Sequence, residues 1–176
     1  MPDQRERVNV LMVCLGRSPM AEAVLKHQIT LRPDLAEQFD IRVDSAGTGA
    51  YHEGEEADDR TIAVCKKHGI PVTSIARAVV RDDFSKFDYI LAMDQSNLQT
   101  LLHRQKSASS PTSKSRISLF GSFAPSISAA QQGKSCTKAQ AIEDPYYGGR
   151  DGFETSFQRC TMFAEGFLDY LERERR

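Results

Sequence analysis

The stretch Val10-Leu11-Met12-Val13-Cys14-Leu15-Gly16-Arg17-Ser18-Pro19 decides how this chain is read. The short apolar run Val8–Val13, ended by a cysteine and then a glycine, has the composition of a buried strand. Ser18 as N-cap and Pro19 at the first helical position open a helix directly afterwards. A thiol at the positive end of a helix ionises more readily than a free one. Gly16 lets backbone N–H groups come close to an anion, and the helix N-terminus aims more of them at the same place. Arg17 adds a planar fork matched to two phosphate oxygens. Three devices for handling a phosphate thus meet at one strand-to-helix junction.

Working outward, strands and helices alternate. The helix opened by Pro19 is expected to run to about Leu31, with Met20, Ala23, Val24 and His27 along one face. Phe39–Val43 reads as a second strand that meets the turn-like Asp44-Ser45-Ala46-Gly47. The acidic run Glu53–Asp59 leads into a helix from about Asp58 to Lys67, closed by His68-Gly69, with Gly69 in the left-handed cap position and Pro71 beyond. Phe87–Met93 and Ile117–Phe120 supply two more strands, with a helix around Ser96–Arg104 between them. Phe153, Phe157, Cys160, Ala164, Phe167 and Leu171 recur at steps of three, four or seven and form one face of a terminal helix. The stretch from Gln105 to Ala141, rich in Ser, Lys and Gln, reads as loops around one short strand and not as a second domain.

This β-α alternation predicts an α/β fold: a single-domain three-layer sandwich with a four-stranded parallel sheet and helices on both faces, Rossmann-like in its winding. Ligands in such folds bind at the carboxyl ends of the strands, where Cys14 falls. The domain is expected over residues 8–172, with residues 1–7 a charged N-terminal extension. A length of 176 residues suits one domain with a real core. A net charge of −1 gives no basic field for nucleic acid or an anionic membrane. No signal-peptide pattern and no bilayer-length apolar run are read, so a cytoplasmic location is expected. The cysteines Cys14, Cys65, Cys136 and Cys160 are scattered and read as reduced thiols.

Several residues have plain structural readings when taken alone. A Cys-x2-Arg at a strand–helix junction is ordinarily a buried cysteine and a solvated arginine. Asp144-Pro145 is a common turn, and Tyr146 and Tyr147 can be packing residues. Cys65 and His68 make half a zinc pattern that no second pair completes, so they read as a core cysteine and a structural histidine. His27 and His103 sit on helix faces, the acidic run is a solvated helix start, and Cys160 lies on the apolar stripe.

Taken together, the segments resemble the low-molecular-weight protein tyrosine phosphatases, which have the phosphotyrosine phosphatase I-like fold. Val10–Val24 is similar to their active-site segment. Further matches follow in the same order: Val43-Asp44-Ser45-Ala46-Gly47-Thr48, Lys67-His68-Gly69-Ile70, Phe87-Asp88-Tyr89-Ile90-Leu91, Met93-Asp94, and Ile142-Glu143-Asp144-Pro145-Tyr146-Tyr147-Gly148. The resemblance implies a hydrolase of the acid phosphatase type acting on phosphotyrosine or aryl phosphate monoesters. Cys14 would be the nucleophile, forming a phosphocysteine. Arg17, with the backbone at Leu15, Gly16 and Ser18, would hold the phosphoryl oxygens. Asp144 would be the general acid and then the general base. Tyr51, Tyr146 and Tyr147 would wall the substrate cleft, His52 would tune specificity, and Ser45 and His68 would brace the loop. The resemblance implies no cofactor and no metal. Expected partners are phosphotyrosine proteins or small aryl phosphates, without nucleic acid or membrane, for a monomer or weak dimer.

One departure stands out. The family spaces its nucleophile and arginine as Cys-x5-Arg-Ser, whereas here only Leu15 and Gly16 separate Cys14 from Arg17. Three loop residues are absent, including an asparagine that in the family partners the positions matched by Ser45 and His68, and a second cysteine. Losing one oxyanion donor costs about 3 kcal/mol of transition-state stabilisation. Losing several predicts turnover reduced on the order of 10⁴-fold, with such effects not additive. Three accounts follow: a phosphatase whose sequence lacks a short in-frame piece, a catalytically impaired pseudophosphatase binding phosphate or protein, and, remotely, an arsenate reductase. The last needs a cysteine relay that Cys65, Cys136 and Cys160 do not suggest.

Overall fold

The computed structural model describes residues 5–14, 19–108, 113–124, 141–142, 144, 148–149 and 151–174. The first strand, β1 (Glu6–Cys14), is continuous through the apolar run, and every residue from Val10 to Val13 is fully buried. That burial on both sides is what a central parallel strand requires. After β1 come α1 (Pro19–Thr30), α2 (Pro33–Gln38), β2 (Phe39–Gly47), α3 (Asp59–Lys67) and α4 (Asp83–Lys86). Then follow β3 (Tyr89–Ala92), α5 (Gln95–Ala108), β4 (Arg116–Leu119), a 3₁₀ turn at Phe120–Phe123, and the long α6 (Gly152–Glu174).

All four strands run parallel in the order β2-β1-β3-β4. The period-two alternation of β1 divides the core into two. Val8, Val10 and Met12 face α1, α3 and α6, packing with Val24, Leu25, Cys65, Phe163 and Phe167. Leu11 and Val13 face α4 and α5, packing with Phe84 and Leu101. The expected three-layer α/β sandwich is therefore present.

The terminal stripe is buried along its whole length, and Phe163 and Leu168 widen it. Phe120 meets Phe163 edge-on and Phe123 meets Phe167 likewise, so the 3₁₀ turn seals the end of this layer. Gly166 permits the contact: a Cβ there would overlap the backbone carbonyl of Phe123. Gly69, at φ +73°, takes the expected left-handed position behind α3.

Differences from the sequence reading are local. β2 continues through Asp44–Gly47, because parallel pairing with β1 persists to the Cys14–Gly47 register. The short helices α2 and α4 hold too few turns to show a period and were not expected. In α1 the buried face is wider than the apolar stripe: it takes in Glu22 and Gln28, while His27 is only half-buried. The Ser18 cap and most of the Ser/Lys/Gln-rich stretch lie outside the described residues.

Candidate active site

Cys14 ends β1 at the carboxyl edge of the sheet, half-buried and unoxidised. Its backbone carbonyl accepts the Thr48 N–H at 2.8 Å, which continues the β1–β2 ladder one step past the last paired residues. Arg104 of α5 donates to the Thr48 carbonyl at 2.6 Å, holding the next peptide unit of the same residue. On the β3 side, the Met93 N–H donates to the Val13 carbonyl at 3.0 Å. The end of β1 at Cys14 is thus held from both neighbouring strands.

The segment carrying Asp144 enters from that β3 side. Ile142 N–H donates to the Met93 carbonyl at 2.8 Å, and Arg159 of α6 donates to the Ala141 carbonyl at 3.1 Å. Asp144 lies exposed two residues beyond this anchor. Leu15, Gly16, Arg17, Ser18, Tyr146 and Tyr147 lie outside the described residues, so their expected roles are not placed.

The opposite wall is built by a strap. Gly47 donates to the Arg77 carbonyl at 2.8 Å and accepts from Val79 N–H at 2.9 Å. Gly54 donates to the Ala76 carbonyl at 2.8 Å, and Ala76 donates back to Glu55 at 2.9 Å. The strap therefore ties the 51–56 turn to the end of β2. Tyr51 projects from this turn, 81% exposed, with its ring lying across Gly49. Its neighbour His52 pairs through Nδ1 with Glu55 at 2.8 Å. Tyr51 is thus an exposed aromatic ring on a turn tethered to the end of β2.

Arg77 holds the strap down. Its guanidinium reaches Asp44 at 2.9 Å and Asp83 at 3.0 Å, and also donates to the Ala78 carbonyl at 3.2 Å. Burial works against the Arg77 charge, but the hydrogen bonds it donates to Asp83 and Asp44 outweigh it and raise its pKa. Asp83 in turn accepts the Val80 N–H at 2.9 Å.

The two expected bracing residues are separated in space by their partners. Ser45 is buried, and its hydroxyl donates to Glu22 in the first turn of α1. His68 instead pairs through Nε2 with Glu154 at 2.8 Å and stacks on Phe157 at 4.0 Å between ring centroids. That joins the end of α3 to the start of α6. His68 thus joins two helices, and Ser45 joins β2 to the first turn of α1. Both residues have carboxylate partners. Sequence reasoning missed Glu22, Arg77, Asp83 and Arg104. An acidic residue early in a helix reads as a solvated dipole partner, and isolated arginines in loops carry no periodic signal.

Two further thiols, Cys65 and Cys160, lie in the core. Burial pushes Cys65 up to about 11. It pushes Cys160 higher still, with Cys65 and Cys14 adding to the effect. Both are poor nucleophiles at neutral pH. Among the described residues no three acidic, histidine or cysteine side chains gather as a metal site, and no helix is long and apolar enough to cross a membrane.

An all-parallel α/β sandwich with a cysteine ending its central strand, and an aspartate-bearing loop anchored beside it, defines the class: an α/β domain whose site lies at the carboxyl ends of its strands. The particular family follows from comparison. The family model for the low molecular weight phosphotyrosine protein phosphatases matches residues 9–176. The Homo sapiens low molecular weight phosphotyrosine protein phosphatase is 42% identical over 164 residues, covering 92% of this chain and 94% of its own. The solved protein tyrosine phosphatase of Entamoeba histolytica superposes with a TM-score of 0.77 at 37% identity, covering 96% of this chain and 99% of that one. A solved Drosophila arginine phosphatase also gives 0.77, at 36% identity, with 92% and 96% covered. The chain belongs to the low molecular weight phosphotyrosine protein phosphatase family, a family of enzymes.

Proposed function

We propose that this chain hydrolyses phosphotyrosine or aryl phosphate monoesters through Cys14, at a rate limited by its shortened phosphate loop. The observation that supports this reading is that Met93 donates to the Val13 carbonyl, next to Cys14, and accepts from Ile142, two residues before Asp144. The Cys14 thiolate attacks phosphorus and forms an S–P bond as the ester P–O bond breaks. The leaving phenolate takes its proton from Asp144. Asp144, now a carboxylate, accepts a proton from water as that water attacks the phosphocysteine. The S–P bond breaks, releasing phosphate and restoring the thiolate. Arg17 and the amides of Leu15, Gly16 and Ser18 stabilise the equatorial oxygens. Tyr51, with Tyr146 and Tyr147, selects an aryl group, and His52 lies at the rim. The substrates are phosphotyrosine proteins or small aryl phosphates in the cytoplasm, met by a monomer or weak dimer.

The loop of Cys14-Leu15-Gly16-Arg17 supports a second reading, a pseudophosphatase that binds phosphate without turnover. An arsenate reductase lacks support, since Cys65 and Cys160 are buried high-pKa thiols ill suited to a relay. The test compares four proteins on an aryl phosphate and on phosphoarginine: this chain, Cys14→Ser, Asp144→Ala, and a form with Asn-Ile-Cys inserted after Gly16. Slow aryl phosphate turnover that Cys14→Ser abolishes and the insertion accelerates is expected. An inert chain with an active inserted form establishes the binding-module reading. Inactivity of both overturns the phosphatase reading, and faster phosphoarginine turnover overturns the aryl preference. Equal rates with and without the insertion remove the rate limit assigned to the short loop.

A further inference from the structure

Arg104 sits in the second half of α5, half-buried, and carries a planar fork of N–H donors. Its hydrogen bond runs from Nη2 to the Thr48 carbonyl at 2.6 Å, and among the described residues no carboxylate pairs with it. Arg77, 30% exposed, shows the usual arrangement: Asp44 and Asp83 neutralise it. A partly desolvated cation ordinarily has an anionic partner. The charge of Arg104 is therefore available to an anion that arrives with a ligand.

Thr48 links this guanidinium to the nucleophile. Its N–H donates to the Cys14 carbonyl at 2.8 Å, while its own carbonyl accepts from Arg104. One residue's backbone separates the two bonds, so Nη2 stands within about 9 Å of the Cys14 carbonyl oxygen. The two side chains come from different faces of the sheet. Alternation along β1 turns Cys14 toward the core shared by α1 and α6, whereas α5 packs through Leu101 on the opposite face. Arg104 is thus spaced for a second anionic group on the ligand and not for the phosphoryl group on Cys14. In an extended segment, residues one or two removed from a phosphotyrosine lie about 3–7 Å along the chain, and a glutamate side chain covers the remainder. Glu53, Glu55 and Glu56, exposed on the turn after Thr48, carry the opposite sign, so an acid is recognised only where it reaches Arg104. We propose that Arg104 is a specificity residue that pairs with a carboxylate flanking the phosphotyrosine, which makes acidic phosphotyrosine segments the preferred substrates. The inference rests on the reading that Cys14 marks the phosphate position.

The test measures binding of two phosphotyrosine peptides to the Cys14→Ser chain by isothermal titration calorimetry. One peptide has glutamates on both sides of the phosphotyrosine, the other glutamines. The glutamate peptide is expected to bind about fivefold tighter, an advantage that shrinks as salt rises from about 0.05 to 0.5 M. Adding Arg104→Gln, which keeps an amide donor for the Thr48 carbonyl but no charge, makes the two peptides equal, and Arg104→Lys keeps the preference. A residue that only tied α5 to Thr48 would weaken both peptides alike and leave their ratio unchanged. Equal binding of the two peptides by the Cys14→Ser chain, or a preference that survives Arg104→Gln, overturns the proposal. Equal binding leaves the phosphate site standing, whereas binding of neither peptide overturns that reading as well. Should Arg104→Gln fail to fold, as judged by circular dichroism, the Arg104 Nε–H signal of the Cys14→Ser chain decides by NMR. It shifts with the glutamate peptide alone, and an equal response to both peptides overturns the proposal.

Discussion

Replacing Arg77 with leucine removes the cation that joins Asp44, Asp83 and the strap while keeping much of the aliphatic bulk. Asp83 has a side chain only 4% exposed, and it loses both guanidinium contacts while keeping the Val80 N–H. Breaking a buried pair from one side costs about 3–5 kcal/mol. Arg77 is 30% exposed and one donor to Asp83 survives, so the cost here is about 2–3 kcal/mol. For a chain of this size that lowers Tm by about 5–10 °C. The Asp44 contact is more exposed and adds little. Thermal and urea unfolding of Arg77→Leu, Asp83→Asn and the double variant measure the coupling directly. The double variant is expected to recover part of the loss, since no buried charge remains without its cation. A loss below about 1 kcal/mol in Arg77→Leu, or strictly additive losses, refutes the reasoning. Because Gly47 bonds to the Arg77 and Val79 backbones and pairs with Cys14, the same variant is also expected to slow Cys14 alkylation.

Gly166→Ala forces a methyl group into the Phe123 carbonyl and is expected to destabilise by about 1–3 kcal/mol, against the helix-propensity gain of the same change; equal or higher Tm contradicts this. Iodoacetamide at neutral pH is expected to label Cys14 in the native protein well before Cys65 or Cys160, and all of them after unfolding, since burial holds the latter two protonated. Peptide mapping reads this, and early labelling of Cys65 counts against it. The hydrogen bond from His68, with the Lys67 charge also contributing, holds the Glu154 carboxyl below its ordinary value of 4.5. A depressed carboxylate pKa gives stability that is present above the unfolded value and lost as pH falls through the folded one. The Tm gap between the native chain and Glu154→Gln should therefore be fullest above about pH 5 and close on acidification. A gap that is constant with pH contradicts the pairing.

The layers were legible because their signals are periodic. β1 is an apolar run that ends at a glycine-bearing junction, and α6 repeats its aromatic stripe over 23 residues. The end of β2 was less legible: Asp44-Ser45-Ala46-Gly47 has turn composition, yet pairing with β1 carries the strand through it. Here tertiary pairing overrides local propensity. Cys14 and Asp144 were singled out by motif; of their surroundings, the structure shows Met93 bonded to Val13 on one side and to Ile142 on the other. The supporting polar groups were not readable. Glu22 looks solvated in a helix wheel, and its burial follows from Ser45 arriving on a neighbouring strand. Arg77 finds its two carboxylates at separations of 33 and 6 residues, where no local pattern exists.

The central claim is that Cys14 takes a phosphoryl group from an aryl phosphate. Rapid acid quench of this chain with a phosphotyrosine peptide, followed by mass spectrometry of the peptide containing Cys14, tests it directly. One phosphoryl group on Cys14, absent in Cys14→Ser and persisting longer in Asp144→Ala, is predicted. An unmodified Cys14 during measurable turnover, or phosphorylation of another residue in its place, contradicts the account.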